Sequence, residues 1–448
     1  MKHLLCALVV CGLTAWGQPA PTSIAIRNAK IVPVSGPAIA KGTVVIRDGL
    51  IEAVGDAVAV PADAQVIDGE GMTVYPGLVD ALSTWGMPGT APAAAGGRGG
   101  RGAAAAVIAP VAPPAMGPED RPQTTSWIKA ADEIQANDRR FESARSAGFT
   151  TAVVFPTRGI FGGQGSVIDL AGAKGEDMVL VPSVGQYIAM NVGRGFGGGF
   201  PSSLMGVIAY VRQIYLDADH YKLVQEAYSK NPRGMKRPEY DRALEGVIES
   251  KRILLPAARE VEVDRMLRFA EELKQPAVLY GLREGYRSGD VLKKHSTPVL
   301  VSLKWPEKAR DADPDEVETM RILENRAKAP STPGILKQVG VKFAFYTDGV
   351  DQPRDIQRAV KKAIDNGLSR EDAVRAMTLS PAEIYGVADR LGSIEKGKIA
   401  NLVVTRGEIF DDRTKVEMIF IDGVKHTPAP EPPGRGGATT ENPEENQK

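Results

Sequence analysis

The chain has 448 residues, enough for one large domain and a second, smaller unit. The charges of its 55 basic and 55 acidic side chains cancel. Net charge therefore predicts neither nucleic-acid binding nor attraction to an anionic membrane surface.

The first 17 residues have the pattern of a secretory signal peptide. Its positive start, apolar stretch and cleavage site are Lys2, Leu4 to Leu13 and Ala15-Trp16-Gly17. The apolar stretch is too short to span a bilayer, which needs about 20 residues. A lipoprotein signal centred on Cys11 is the weaker alternative, because bulky Val10 precedes that cysteine. The sequence therefore predicts an exported protein, periplasmic or secreted, without membrane insertion.

Both cysteines of the chain, Cys6 and Cys11, lie inside this signal. Residues 18–448 therefore contain no thiol, and the exported protein would have neither a disulfide nor a cysteine metal site.

Short β-runs separated by turns occupy both ends of the chain. The first group lies between Ser23 and Val74, and Asp48-Gly49 between two of its runs is typical of a hairpin. The second group comprises Ile399–Val404 and Val416–Ile421. Because two β-rich ends flank an α/β middle, we predict one small sheet domain made of residues 18–77 and 390–426.

Between these ends, strands and helices alternate over residues 78–389, as a parallel α/β architecture requires. The predicted strands are Thr150–Phe155, Leu254–Leu255, Ala277–Tyr280 and Val341–Tyr346. Ile356, Val360 and Ile364 recur every four residues and predict one face of an amphipathic helix. Ser369 has the position of a cap for the next helix.

Two stretches have low complexity. Residues 86–125 are dominated by Gly, Ala and Pro and directly follow the first strand of the α/β middle. We predict a disordered surface loop there, with a functional lid as the alternative. The tail, residues 427–448, is predicted to be disordered.

Several segments, in their order along the chain, resemble the amidohydrolase superfamily of metal-dependent hydrolases. They are Ile26–Ile31, Gly42–Gly55, Val66–Asp68 and Pro76–Asp80 near the start, and Ser380–Val387 and Leu391–Lys398 near the end. Gly148–Val154 is similar to imidazolonepropionase-like members, whereas Asn401 stands where the family usually has Asp. The resemblance spans Ser23–Lys425 and implies a distorted (β/α)₈ TIM barrel with a composite β-sandwich built from both chain ends.

The resemblance also implies a catalytic centre at the C-terminal ends of the barrel strands. Family members hold zinc or another divalent metal there, which activates a water molecule against a carbon–nitrogen or related bond. The ligands are a His-x-His pair on the first strand, two later histidines and an Asp on the last strand.

At the positions that match this ligand set, the chain departs from the family. Leu82 and Thr84 replace the His-x-His pair, and Ala258 and Gly281 stand nearest to the two later histidines. Only Asp348 matches, either as a remnant that hydrogen-bonds to strand-end backbone or as a residual general base. We therefore predict a pocket at these degenerate positions and expect no cofactor.

The number of histidines supports this interpretation. Of the four in the chain, His3 lies in the signal, so three remain for a four-histidine set. His220 is predicted at a helix entry, His295 on a surface turn and His426 at the border of the tail. An improvised metal site formed by Asp217, Asp219 and His220 is the alternative.

Two glycine-rich stretches offer further backbone donors. Gly162-Gly163-Gln164-Gly165 is predicted as a tight turn after a strand, with an anion-binding loop as the alternative. Gly193–Gly199 is predicted as a flexible loop in which Arg194 could contact an anion.

Three functional hypotheses follow. The first is an exported protein of this family with a degenerate metal site, which binds a small molecule or serves as a non-catalytic partner subunit of an intact homologue. The second is a hydrolase of carbon–nitrogen (non-peptide) bonds that uses Asp348 with a non-standard or absent metal site. The third is a structural or interaction protein, which a barrel mouth filled with side chains would favour. The sequence leaves the oligomeric state open, and a homo-oligomer and a hetero-oligomer with the intact homologue are the two assemblies considered.

Overall fold

The computed structural model describes residues 23–89, 119–190, 200–308, 313, 315, 317–411 and 414–428. The predicted signal, residues 90–118 of the Gly/Ala/Pro-rich stretch, the Gly193–Gly199 segment with Arg194, and the tail beyond residue 428 lie outside these ranges. Within them, no helix is both long and apolar enough to cross a membrane.

Five strands form the N-terminal part of the first sheet. They are β1 (Ser23–Ile31), β2 (Ile39–Arg47), β3 (Leu50–Gly55), β4 (Gln65–Asp68) and β5 (Thr73–Pro76). Asp48 and Gly49 join β2 to β3 with φ angles of 49° and 79°, the left-handed backbone that a two-residue hairpin turn requires. The hairpin predicted from the sequence is therefore present.

Eight strands form the barrel wall and are hydrogen-bonded in chain order. They are β6 (Leu78–Ser83), β7 (Phe149–Val154), β8 (Phe161–Asp169), β9 (Val179–Ile188), β10 (Ile253–Ala257), β11 (Ala277–Gly281), β12 (Val299–Ser302) and β13 (Phe343–Tyr346). Neighbouring strands are parallel except at β8, which runs antiparallel to both β7 and β9. This reversed strand is the distortion of the (β/α)₈ pattern.

Helices cover the outside of this wall. They are α1 (Arg140–Ser146), α2 (Leu204–Lys230), α3 (Arg242–Ile248), α4 (Glu260–Glu272), α5 (Gly289–His295), α6 (Met320–Lys328), α7 (Thr332–Val339), α8 (Pro353–Asp365), α9 (Arg370–Ala376) and α10 (Leu379–Tyr385). In α8, Ile356 and Val360 are buried and Ile364 packs against the same core, as the four-residue spacing predicts. Ser369 caps α9, because its hydroxyl accepts a hydrogen bond from the Asp372 backbone N–H at 3.0 Å.

The last three strands complete the first sheet. They are β14 (Leu402–Arg406), β15 (Lys415–Ile421) and β16 (Val424–His426). The strand order is β16-β15-β14-β5-β1-β2-β3, with β4 paired to β1, and Leu402 lies opposite Pro76. The predicted combination of a distorted TIM barrel with a composite sheet from both chain ends is confirmed.

Asn401 joins this sheet to the barrel wall. Its side-chain N–H donates to Asp169 on β8 at 2.6 Å and to the Thr151 hydroxyl on β7 at 3.0 Å. Its side-chain oxygen accepts from the Asp422 backbone N–H at 2.8 Å. The family departure at position 401 therefore supplies an amide that donates to a buried carboxyl group and accepts from backbone at the same time.

Two local predictions are wrong. Gly162–Gly165 does not form a turn but lies within β8, where a β-carbon at Gly165 would overlap the ring of Phe155. The glycine is therefore required by close packing inside the barrel. His220 does not lie at a helix entry but far inside α2, and it is exposed.

Candidate functional site

A cavity opens at the C-terminal ends of the barrel strands and encloses about 760 Å³ of empty space, including the part open to solvent. The part of the cavity that water-sized molecules can occupy is about 220 Å³, which is smaller than the usual pocket for a drug-sized ligand. The residues that line it are Leu82, Ser83, Thr84, Trp85, Arg140, Thr157, Tyr187, Tyr280, Tyr346, Thr347, Asp348, Gly349 and Asp351. The mouth of the barrel is therefore not filled by side chains. A filled mouth was the observation that would have favoured a purely structural or interaction protein.

The cavity brings together three of the residues singled out in the sequence. Leu82 is buried at the end of β6, and Thr84 follows it at the rim. Arg140 donates to the Thr84 hydroxyl at 3.2 Å and to the Thr84 carbonyl at 2.8 Å. Asp348 lies in the same cavity, after the last strand.

Ala258 and Gly281, the other two positions predicted to border the pocket, lie outside the lining of the cavity. They lie beside each other at the ends of β10 and β11, where a β-carbon on Gly281 would be 3.6 Å from the Ala258 backbone. Gly281 has a φ of 109°, a conformation that a residue with a β-carbon rarely adopts.

Asp348 follows β13 with a φ of 51° and is 31% exposed. Its Oδ2 accepts a hydrogen bond from the Ser302 hydroxyl at 2.7 Å and lies 3.5 Å from Nη2 of Arg283. Among the described residues, no group donates to its Oδ1 and no backbone amide donates to either oxygen. The carboxylate is thus held by a side chain of β12, and among the described residues its second oxygen accepts no hydrogen bond.

Behind this carboxylate, Asp80 ties the first barrel strand to the last. The backbone N–H and the hydroxyl of Thr347 donate to the two Asp80 oxygens at 3.0 and 2.7 Å. Asp80 is completely buried, and burial raises its pKa to about 7, although the hydrogen bonds from Thr347 act in the opposite direction. This pair fixes the backbone next to Asp348.

Three tyrosines form the aromatic wall of the cavity, and the sequence analysis missed them. Tyr187 and Tyr280 stack with ring centroids 5.4 Å apart and an interplanar angle of 26°, and the Tyr280 hydroxyl donates to the Tyr187 hydroxyl at 2.9 Å. Tyr346 lies opposite Ser302 in the pairing of β12 with β13. Burial raises the pKa of all three phenols, which keeps them uncharged at neutral pH. Each of these tyrosines lies at or near the C-terminal end of a barrel strand, and this shared position was the signal in the sequence that could have identified them.

The charges of the cavity are partly compensated. Arg140 forms a close ion pair with Asp138, with Nη2 2.7 Å from Oδ2. Arg283, whose side chain is 49% exposed, approaches Asp348 from outside the lining residues. Asp351 adds a second carboxylate to the rim.

The donor atoms of the described residues do not fit the metal centre that the family resemblance implies. In the described ranges, no three His, Cys, Asp or Glu side chains lie close enough together to bind one metal ion. His295 Nδ1 is 2.7 Å from a Glu271 carboxylate oxygen near the surface, and His426 lies on β16 of the first sheet. The improvised site is not formed either, because Asp217 is paired with Arg121 at 2.5 Å.

Comparisons with known proteins agree with this architecture. The family model described as "Amidohydrolase family" matches residues 290–425. The crystal structure of an amidohydrolase from Thermotoga maritima superimposes with a TM-score of 0.72 and 27% identity over 91% of this chain and 100% of that one. Phenylurea hydrolase B superimposes with a TM-score of 0.52 over 90% and 96% of the two chains, but at 15% identity this likeness shows the fold alone.

A sequence relative matches a shorter segment. The 5-methylthioadenosine/S-adenosylhomocysteine deaminase of Moorella thermoacetica is 46% identical over 61 residues, which is 13% of this chain and 14% of the deaminase. The matched segment thus spans about one seventh of that relative. Residues 290–425 thus match the amidohydrolase family, and the barrel with its composite sheet has the fold of an amidohydrolase.

Proposed function

We propose that this protein binds a small organic molecule at the mouth of its barrel and does not carry out the metal-dependent hydrolysis typical of its superfamily. The observation that carries the proposal is the composition of the cavity. Leu82 and Thr84, which stand where the resemblance implies the His-x-His pair, line the cavity together with Asp348, three tyrosines and an ion-paired arginine. The open cavity and its aromatic wall support binding.

Metal-dependent hydrolysis needs a source of hydroxide at neutral pH. A bound divalent metal lowers the pKa of its water molecule to about 7, and neutral imidazoles suit such a metal because they do not cancel its charge. The cavity instead offers an isobutyl group, hydroxyls and a carboxylate that is already hydrogen-bonded to Ser302. These groups provide no comparable way to generate hydroxide at neutral pH.

We further propose that the protein is exported and acts alone, as a homo-oligomer, or as a partner subunit of an intact homologue. The signal-like residues 1–17 and the absence of cysteine from residues 18–448 support export. The open cavity supports a binding role for this chain in either assembly.

The alternative proposal is a hydrolase of carbon–nitrogen bonds in which Asp348 acts as general base. One observation favours it: Asp348 lies in the cavity with Oδ1 available among the described residues, at the strand end that carries the family's proton-shuttling Asp. The partial identity to a deaminase is consistent with carbon–nitrogen chemistry.

Metal analysis and activity measurements on purified protein distinguish the two proposals. Residues 18–448 would be expressed in zinc-supplemented medium, purified without chelators, and tested on amides, ureas and aminopurines. Asp348→Ala would be compared with Asp351→Ala, a matched variant at the rim of the same cavity. For the binding protein we expect less than stoichiometric metal and no turnover in either variant or in the parent. Stoichiometric zinc together with turnover that Asp348→Ala abolishes and Asp351→Ala retains would overturn this proposal in favour of the hydrolase.

A further inference from the structure

The cavity is richer in negative charge and π-electron density than in available positive charge. Asp348 and Asp351 both line it, whereas Arg140 is the one cationic side chain among the lining residues and is held by Asp138. The Arg140 guanidinium contacts that carboxylate through Nε at 2.9 Å and through Nη2 at 2.7 Å. The Asp138 carboxylate therefore compensates the positive charge of Arg140, so Arg140 contributes little to attracting an anion.

The aromatic wall has the composition of a site for cations. Tyr187 and Tyr280 stack with their ring centroids 5.4 Å apart. Tyr346 stands near Asp348, because Ser302 lies opposite Tyr346 and donates to Asp348. The faces of aromatic rings carry partial negative charge and attract ammonium and guanidinium groups. A cation placed against these rings would also lie near a carboxylate oxygen.

Arg283 already occupies part of this position. Its guanidinium Nη2 lies 3.5 Å from Asp348 Oδ2, at the long end of ion-pair distances, and half of the side chain is exposed. This contact is made to the oxygen that Ser302 also binds, and no described residue donates a hydrogen bond to Oδ1. Arg283 thus resembles an internal counter-cation that a ligand could displace or share.

We infer that the ligand of this cavity is an organic cation, an amine or quaternary ammonium with an apolar or aromatic body. Its charged group would lie between Asp348 and the tyrosine rings, and its body would lie against Leu82 and Trp85. The inference rests on the proposed binding function and adds the charge and chemical class of the ligand. It also assigns Arg283 as the residue that competes with the ligand for Asp348.

The test uses three probes of similar size that differ in charge: 2-phenylethylamine, 2-phenylethanol and 3-phenylpropionate. Isothermal titration calorimetry on residues 18–448 at pH 7 should show the amine binding roughly tenfold more tightly than the alcohol, and the carboxylate not binding. Asp348→Asn should weaken amine binding by about tenfold or more and leave the alcohol unchanged, because a charged hydrogen bond is lost without a change in shape.

Arg283→Gln should change amine affinity in the direction opposite to Asp348→Asn. Removing the competing cation should strengthen amine binding several-fold, whereas a site for anions would lose 3-phenylpropionate binding in this variant. Because Arg283 is half exposed, the variant should fold normally, and its thermal unfolding midpoint serves as the control. Tyr280→Phe keeps the ring face and should retain amine binding, whereas Tyr280→Leu should weaken it.

Each outcome has a distinct meaning. Preference for 3-phenylpropionate, or failure of all three probes to bind, overturns the inference. Binding of the carboxylate through Arg283 would still leave the proposed binding function intact. Stoichiometric zinc with turnover in the preceding experiment overturns the binding function itself, whichever probe binds.

Discussion

Asp80 and Asp169 are carboxylic acids buried in the barrel wall, and burial raises the pKa of each to about 7. Asp169 accepts hydrogen bonds from Asn401 and Thr151, both at Oδ1. These bonds favour the charged form but do not offset the loss of hydration. Both acids are therefore largely protonated in the folded protein below pH 7, whereas in the unfolded chain they ionise near pH 4.

Replacing Asp169 with Asn should change how stability depends on pH. In the parent, a folded-state pKa above the unfolded value gives a stabilisation that is complete below about pH 4 and lost as pH rises through about 7. Asn cannot ionise, and its Oδ1 can still accept from Asn401 and Thr151. We expect the variant to be more stable than the parent at pH 8, by roughly 2–4 kcal/mol, and similar to it at pH 4.

Urea unfolding of both proteins across pH 4 to 8 measures this difference. Asp219→Asn on the exposed face of α2 is the control. The difference in unfolding free energy between this variant and the parent should not increase from pH 4 to pH 8. If the difference between Asp169→Asn and the parent is also constant with pH, Asp169 is not protonated in the folded state.

At the scale of elements, Gly77 lets the chain pass directly from β5 of the sheet to β6 of the barrel. A β-carbon there would come within 2.7 Å of three side-chain atoms of Thr150, and the backbone N–H of Gly77 donates to the Asn401 carbonyl at 2.8 Å. Thr150 is buried on β7, so its side chain has little room to move. This junction leaves no space for a side chain.

Gly77→Ala should therefore destabilise the protein by about 1–3 kcal/mol or more through overpacking. Gly36→Ala is the matched control, because nothing lies within 4 Å of a β-carbon at that position. Chemical denaturation of both variants gives the comparison. Equal stabilities would mean that Thr150 rotates away at little cost.

How far the sequence predicts an element depends on whether its pattern is local. The buried face of α8 follows from a four-residue spacing, and both terminal groups of strands follow from alternation and turn residues. The strand β8 could not be predicted at Gly162–Gly165, because the need for glycine there comes from tertiary packing. A side chain at Gly165 would overlap the ring of Phe155, which lies on a different segment of the barrel. Glycine-rich sequence has the same appearance in a turn and in a tightly packed strand.

The same distinction applies to the site. Leu82, Thr84 and Asp348 could be placed at the barrel mouth because they follow segments that resemble the family. The tyrosine wall could not, because it depends on register: Tyr187 and Tyr280 pair with Leu254 and Pro256, on either side of β10. No local pattern in the sequence encodes this alignment.

At the scale of the whole molecule, one hydrophobic cluster extends across the sheet and the barrel. Tyr75, Val403 and Ile419 of the sheet belong to the same buried cluster as Trp85 and Phe149 of the barrel. The Asn401 hydrogen bonds to Asp169 and Thr151 cross the same boundary. Both parts therefore bury apolar side chains at this boundary, in addition to the separate clusters within the barrel and within the sheet.

We therefore expect one cooperative unfolding transition. Because residues 18–448 contain no cysteine, a single fluorescent label can be attached at Val424→Cys in the sheet and, in a matched variant, at Val261→Cys on the barrel, both exposed positions. The two labels should report the same urea midpoint. Midpoints that differ beyond error would show that the sheet and the barrel unfold separately.

The pairing of β5 with β14 also constrains when this protein can fold during synthesis. The Tyr75 hydroxyl donates to Glu408 at 3.0 Å, across 333 positions of sequence. As the chain leaves the ribosome, β1 to β5 emerge early, but one edge of β5 has no partner until nearly all of the barrel has been translated. An open edge with apolar side chains is prone to association with other chains. The nascent protein thus depends on its last fifty or so residues to close its first sheet, and on protection of that edge until they arrive.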